Sequence, residues 1–236
     1  MPHALTPRQI DAGDFNDYTQ SWRQLIDGSD TDALRACFES NDALLNYVFL
    51  PQTLVTGLLA GNGTAEIRTK FALAPRNTDQ TPVFTMVFYG IDRNQIPTTA
   101  YYLAGVAAWP ATLGQPLIEQ MDTRISFEQA YTWITRWHNL MPDQMRFDLF
   151  KADKGRLRGY THDLPDFEQA IGLPGNGEEA APALWLNFAL PSYHTAELFG
   201  TVLTRNSEPD EDNAGTLRLA EDEFYFDISR PCPPAC

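Results

Sequence analysis

The sequence repeats one series of motifs in the same order and spacing, and this internal duplication constrains the fold more than any other feature. A Leu-Pro pair at 50–51 precedes Gly-Asn-Gly at 61–63, and both motifs return 114 residues later at 164–165 and 175–177. Because order and spacing are both kept, the matching letters indicate a copied segment. We therefore expect two units of the same architecture.

The alignment extends beyond these motifs in both directions. Upstream, residues 9–26 align with residues 124–141; downstream, Phe-Ala-Leu at 71–73 aligns with the same letters at 188–190. The aligned pairs include Ile10 with Ile125, Trp22 with Trp137, Leu25 with Leu140, and Leu73 with Leu190.

Each unit is expected to begin with an amphipathic helix, because its apolar residues recur at helical spacing. Asp11 is the N-cap candidate of the first helix, and Ser126 with Gln129 forms a capping box for the second. The apolar faces comprise Phe15, Tyr18, Trp22, Leu25 and Ile26 in the first unit, and Ala130, Trp133, Trp137, Leu140 and Met141 in the second.

A second helix in each unit is expected to open near Pro51 or Pro165 and to end at Gly-Asn-Gly, since proline suits the first turn and glycine the position after the last. The glycines of 57–63 therefore end a helix, whereas those of a nucleotide-binding loop precede one. No cofactor is expected.

Alternating apolar residues follow each helix stop, in EIRTKFAL at 66–73 and ALWLNFAL at 183–190, and predict strands. VFTMVFYGID at 83–92 is apolar on both faces and predicts a central strand. TAYYLAGVAAW at 99–109 is expected to form the next strand. GTVLTRN, TLRLA and EFYFDIS occupy the corresponding region of the second half.

The sequence thus predicts an α+β fold: a tandem duplication of a helix-helix-antiparallel meander unit, with the two halves packed as a pseudo-twofold pair. The first repeat spans 1–109, the linker PATLGQP spans 110–116, and the second repeat spans 117–236. A ligand groove is expected between the halves.

Charge and hydropathy restrict the partners. Seventeen basic and 31 acidic residues give a net charge of -14, which disfavours nucleic acid and anionic lipid and suits a basic partner. We expect no contact with membranes, because no apolar run has the length of a span and the N-terminus does not read as a secretory signal. A soluble, cytoplasmic protein is expected. The oligomeric state does not follow from the sequence.

One acidic stretch partly matches a calcium-binding loop. Asp210, Asp212 and Glu221 fall at positions one, three and twelve of such a loop. Ala214 stands where a ligand oxygen is needed, and Pro209 would break the incoming helix. A solvated acidic hairpin tip, the counterpart of residues 76–82, is the favoured interpretation.

The C-terminal RPCPPAC contains Cys232 and Cys236, four positions apart. These thiols could form a strained disulfide, bind a soft metal or remain unmodified, and the sequence leaves the three alternatives open. Cys37 stands alone and is expected to be buried.

Known hydrolase motifs are absent from the sequence. His162 and Asp163 are the weak candidates for an acid/base pair, which we expect on a loop ahead of the second helix. His138 is expected at a surface or half-buried helix position.

At Gly-Asn-Gly, the two Phe-Ala-Leu strands, YGID and the terminal PCPP-x-C, the chain resembles a family of uncharacterised bacterial proteins. The resemblance implies one or two α+β units and a C-terminal cysteine-proline tail, and it implies no activity.

The leading hypothesis is a non-enzymatic, soluble interaction or ligand-binding protein whose partner is another protein or a small molecule. The alternative is an enzyme of unrecognised type that depends on a metal or a thiol. Under that alternative, the residues to test are His162, Asp163, Cys232 and Cys236.

Overall fold

The computed structural model describes residues 4–40, 43–107, 127–152, 155–170, 183–193, 196–197, 199–204 and 230–231. Both helices and antiparallel strands occur, so the fold class is α+β. The helices of these ranges are α1 (Ala12–Ile26), α2 (Thr31–Ala36), α3 (Gln52–Leu59), α4 (Phe127–His138) and α5 (Leu164–Ala170), with 3-10 turns at Pro142–Gln144 and Phe147–Phe150.

The strands of the described ranges are β1 (Arg8–Ile10), β2 (Glu39–Ser40), β3 (Ala43–Leu44), β4 (Tyr47–Leu50), β5 (Glu66–Pro75), β6 (Pro82–Ile91), β7 (Tyr101–Leu103), β8 (Gly105–Ala107), β9 (Lys151–Ala152), β10 (Gly155–Arg156), β11 (Gly159–Asp163), β12 (Leu184–Ala189), β13 (Ser192–Tyr193), β14 (Ala196–Glu197), β15 (Gly200–Thr204) and β16 (Arg230–Pro231).

Two antiparallel sheets form the centre of the molecule. The first sheet has the strand order β1-β7-β6-β5-β11-β16, and the second has the order β15-β12-β4-β8. The remaining strands form the short pairs β2-β3, β9-β10 and β13-β14. Helix α1 packs along β5, and helix α4 packs along β12.

Each large sheet contains strands from both predicted repeats. Strand β11 of the second repeat pairs with β5 of the first, with Tyr160 opposite Thr69. Strand β4 of the first repeat pairs with β12 of the second, with Val48 opposite Leu186. Each half therefore contributes two strands to the sheet of the other half: β4 and β8 come from the first half, and β11 and β16 from the second. The pairing of β11 with β5 and of β4 with β12 satisfies the backbone groups along one edge of β5 and of β12.

Eight aromatic side chains from both halves pack together in the core, and each is at most 2% exposed. Phe38 and Phe150 stack at the centre with ring centroids 5.5 Å apart and an interplanar angle of 24°. Because each of these rings is removed from water among apolar neighbours, the cluster is a major source of hydrophobic stabilisation. The eight are Trp22, Phe38, Phe71, Phe84, Trp137, Phe150, Phe188 and Phe199.

The predicted first helix is confirmed at its N-terminus and on its apolar face. The Asp11 carboxylate accepts the backbone N–H of Asp14 at 2.9 Å, as an N-cap should, and α1 ends at Ile26. Trp22 and Ile26 are fully buried. In α4, Ala130 and Trp137 are fully buried and Trp133 nearly so, whereas Ser126 lies outside the described residues.

In the first half, the second predicted helix and its end at Gly-Asn-Gly are also confirmed. Pro51 occupies the N-cap position of α3, and the helix ends immediately before Gly61-Asn62-Gly63, where Gly63 has a φ of 79°. Pro165 lies in the first turn of α5. The second Gly-Asn-Gly, at 175–177, lies outside the described residues.

Two expectations about individual elements are wrong. Met141 lies beyond the end of α4 and is 60% exposed, so it is not part of the buried face. Residues 99–109 do not form one strand: β7 lies in the first sheet and β8 in the second, and the chain crosses between them at Ala104. Strand β12 is buried on both faces. The packing of two sheets around one core explains why the chain crosses between the sheets at Ala104 and why both faces of β12 are buried.

The division of the chain into repeats 1–109 and 117–236 stays a prediction, and the linker 110–116 lies outside the described residues. TLRLA and EFYFDIS lie outside them as well, while GTVLTRN contains β15. The turn at 76–82 is a hairpin tip, as expected, with the Arg76 N–H donating to the Thr81 carbonyl at 2.9 Å.

Candidate functional site

His162 lies on strand β11 rather than on a loop, and its side chain is buried, with 3% exposed. Its ring lies 5.8 Å from that of Phe167 and 6.5 Å from that of Tyr160. Its Nε2 atom is 3.5 Å from the hydroxyl of buried Thr69. This environment is typical of a core histidine that fills space within a sheet.

Asp163 follows His162 on the same strand, and successive side chains of a strand point to opposite faces of the sheet. Asp163 is half-buried and lies opposite Glu66 in the register, whereas His162 lies opposite Ile67. The structure therefore separates the two side chains that the sequence placed together as an acid/base candidate.

The remaining candidates lie outside the described residues: Cys232, Cys236, Asp210, Asp212 and Glu221. Within the described ranges, no group of three or more His, Cys, Asp or Glu side chains is arranged to hold a metal ion. Cys37 is buried, as expected, and its Sγ lies 3.1 Å from the Leu34 carbonyl oxygen. Burial raises the pKa of this thiol well above its ordinary value.

The described residues form at least two surface grooves. The first, here called the α4 groove, has a volume of about 430 Å³. Its apolar floor consists of Leu140, Leu149 and Leu190. Leu190 comes to the groove from the end of β12, because its backbone N–H donates to the carbonyl of Trp133 on α4 at 3.0 Å.

The walls of the α4 groove are polar, and most of them come from one face of α4 and the turn that follows it. Positions three and four apart share a helix face, which brings Thr132, Thr135, Arg136 and Asn139 to the same side. The polar lining comprises Tyr131, Thr132, Thr135, Arg136, Asn139, Gln144 and Arg146.

Thr135 differs in its hydrogen bonding from Thr19 and Thr132, which also lie on helices. The hydroxyls of Thr19 and Thr132 each donate to the carbonyl four residues earlier, at 2.7 and 2.6 Å. The Thr135 hydroxyl is buried at the groove wall and has no hydrogen-bond partner in the described part of the chain. An unsatisfied buried hydroxyl costs free energy, so a group that bonded to it would be stabilised there.

The second groove, here called the α1 groove, has a volume of about 570 Å³ and lies between α1, α2 and the β5-β6 hairpin. Leu25, Cys37 and Leu73 contribute to its lining. Arg76 also lines it, but one terminal nitrogen of this side chain donates to the carbonyls of Ala36 and Glu39.

The two grooves occupy matching places in the aligned sequences. Leu25 and Leu73 line the α1 groove, and Leu140 and Leu190, with which they are aligned, line the α4 groove. All described lining residues of either groove come from one predicted repeat, so neither groove, as far as the described residues form it, lies between the halves. The sequence did not predict either groove, although it did align the leucines. An alignment shows which residues occupy equivalent positions, and it does not show whether those residues line a groove.

His138, at the end of α4, is half-buried as expected. Desolvation lowers the pKa of its imidazole to about 4, because burial disfavours the charged form. The side chain is therefore neutral at pH 7, and it does not line the α4 groove.

Comparison with family models, with curated proteins and with solved structures finds no match. None of the helices in the described ranges combines the length and apolar character that crossing a membrane requires.

Proposed function

We propose that this chain is a non-enzymatic ligand-binding protein that holds a small molecule in the α4 groove. The observation that carries the proposal is the composition of the groove: a leucine floor enclosed by polar side chains within about 430 Å³. Pockets for small molecules are commonly apolar, with a few polar groups that orient the ligand, and fall in this range of size.

The geometry supports binding over the enzyme alternative. Catalysis by an acid/base pair needs two titratable side chains within reach of one reacting atom. His162 is enclosed between Phe167 and Tyr160, and Asp163 belongs to the other face of the sheet. Neither residue lines the α4 groove.

We further propose that the two halves descend from one duplicated unit and pack as a pseudo-twofold pair. Backbone hydrogen bonds that recur at aligned positions support this. The Phe71 N–H donates to the Arg158 carbonyl at 3.0 Å, and the Phe188 N–H donates to the Asn46 carbonyl at 2.7 Å. Each bond joins the central strand of one half to the exchanged segment of the other.

Ring geometry around the two aligned tryptophans gives a second line of support. Trp22 meets Phe71 at 5.7 Å and 80°, while Trp137 meets Phe188 at 5.5 Å and 80°. Trp22 also meets Phe150 at 5.3 Å and 72°, while Trp137 meets Phe38 at 5.3 Å and 67°. Duplication would explain why a groove recurs beside each first helix.

A screen with a groove-filling variant tests the binding function. Small molecules that raise the Tm of the full chain would be measured again with Thr132→Trp, which places a large ring in the α4 groove from an exposed position. Ala36→Trp, at an exposed position lining the α1 groove, is the matched control. We expect hits that bind the wild type and Ala36→Trp and fail with Thr132→Trp. Hits that bind all three proteins equally would contradict the proposal.

A further inference from the structure

We infer that the ligand of the α4 groove is a small organic carboxylate, with an apolar body and one carboxylate group. This inference rests on the proposed binding function and names the chemical class of the ligand.

The charge of the groove is the first argument. Arg136 and Arg146 both line it, and none of its described lining residues is Asp or Glu. This is notable in a chain with 31 acidic and 17 basic residues. A guanidinium group presents planar N–H donors that match the two oxygens of a carboxylate, so two arginines at one groove favour such a ligand.

The neutral groups of the groove also favour a ligand that only accepts hydrogen bonds. The Gln144 side-chain oxygen accepts the Met141 N–H at 2.8 Å, so the amide NH2 is the end that can donate. The Thr135 hydroxyl is buried and bonds to none of the described residues. An ionised carboxylate accepts hydrogen bonds and donates none, which complements arginine, amide and hydroxyl donors together.

The apolar floor of the groove indicates that the rest of the ligand, apart from its carboxylate, is apolar. Leu140 is half-buried, whereas Leu149 and Leu190 are 4% and 1% exposed, so Leu140 supplies most of the exposed hydrocarbon of the floor. Removing such apolar surface from water stabilises a complex. An inorganic anion would leave this floor unused. A carboxylate attached to a short hydrocarbon or aromatic body would use the floor and the arginines together.

The α1 groove provides an internal comparison. Glu39 and Asp79 line that groove, and its arginine, Arg76, already donates to two backbone carbonyls. The described lining of the α1 groove thus contains two carboxylates and one arginine, whereas that of the α4 groove contains two arginines and no carboxylate. We expect carboxylates to bind at the α4 groove in preference.

Isothermal titration of the full chain with 3-phenylpropanoate and with its neutral analogue 3-phenylpropanamide tests the inference. The two probes share the apolar body and differ in charge. We expect the carboxylate to bind about tenfold more tightly, since a hydrogen bond to a charged group adds about one such factor. Arg146→Gln, at an exposed position, should remove this preference; Arg23→Gln, which deletes the same charge from exposed α1, should keep it.

The outcomes separate the two proposals. Equal binding of both probes, lost in Thr132→Trp, would overturn the carboxylate inference and leave the ligand-binding function standing. A carboxylate preference that survives in Arg146→Gln would also overturn the inference. If neither probe binds, or if binding persists in Thr132→Trp, both the inference and the assignment of the α4 groove fail.

Discussion

The indole of Trp22 donates its Nε1 hydrogen to the backbone carbonyl oxygen of Leu157, which is 135 residues away in the sequence and 3.1 Å away in space. Trp137, aligned with Trp22, donates to the carbonyl oxygen of Leu45 at 2.7 Å. Each tryptophan therefore anchors the segment leading into the exchanged strand of the other half. All of these groups are buried, so the two bonds link the halves where water cannot replace them.

Removing either indole N–H donor should destabilise the protein, because the buried backbone carbonyl that accepts its hydrogen bond loses its partner. We expect Trp22→Phe and Trp137→Phe each to lower the free energy of unfolding by about 1 to 3 kcal/mol, because a buried acceptor loses its partner. Urea unfolding followed by circular dichroism would measure the change. If one variant lost less than a few tenths of a kcal/mol, the proposed equivalence of the two bonds would be contradicted.

Gly159 should tolerate no side chain. Its φ is 148°, and a Cβ atom added there would lie 1.9 Å from the Thr69 carbonyl oxygen on the neighbouring strand. We expect Gly159→Ala to cost about 3 kcal/mol or more, because the backbone of β5 would have to move.

Gly63→Ala is the matched comparison for that substitution. Gly63 has a φ of 79°, but no atom lies within 4 Å of the added Cβ, so only backbone strain of about 1 kcal/mol is expected. Thermal unfolding of both variants would compare them. Equal losses would show that strain, rather than the contact with Thr69, dominates at Gly159.

His138 should make stability depend on pH between about 4 and 6.5. Burial lowers the pKa of its imidazole from 6.5 to about 4, so the unfolded chain binds a proton in this interval that the folded chain does not. The contribution of His138 to stability is therefore complete above pH 6.5 and is lost as the pH falls towards 4.

We expect this residue to account for about 1 to 2 kcal/mol of the stability lost between pH 7 and pH 5. Urea unfolding of wild type and His138→Gln at both pH values isolates the effect from the many carboxylates of the chain. The wild type should lose more stability than the variant. Equal losses would mean that the imidazole is protonated in the folded protein.

Cys37 should be unreactive in the folded protein despite its position beside the α1 groove. The side chain is 3% exposed, and burial raises the pKa of the thiol, so little thiolate forms. In a Cys232→Ser/Cys236→Ser protein, Ellman's reagent should detect no thiol within minutes before unfolding and one thiol per chain in guanidinium chloride. Rapid reaction of the folded protein would place Cys37 on an accessible surface.

Local patterns predicted much of this architecture. Helix α1 follows from apolar residues at helical spacing and from the Asp11 cap, both of which act within a few neighbouring positions. The end of α3 follows from the glycines after it in the same way. The aligned pair Trp22 and Trp137 was identified as core from periodicity alone, and both are buried.

Only part of the candidate site could be predicted from such local patterns. The helical positions of Thr132, Thr135 and Arg136 follow from the pattern of α4, since that pattern leaves them on one polar face. Arg146 and Leu190 come from other parts of the chain. The sequence does not record that these segments converge, so the groove could not be predicted.

The sequence by itself determined helices α1 and α3, strands β5 and β6 and the burial of Trp22 and Trp137, because these properties depend on neighbours within a turn or a strand. The tertiary structure alone decided that β11 pairs with β5 and β4 with β12. Backbone N–H and C=O groups are the same in every residue other than proline, so the hydrogen-bonding groups themselves do not specify which strand pairs with which. The choice is made by how two apolar sheets and eight aromatic rings can fill one core together.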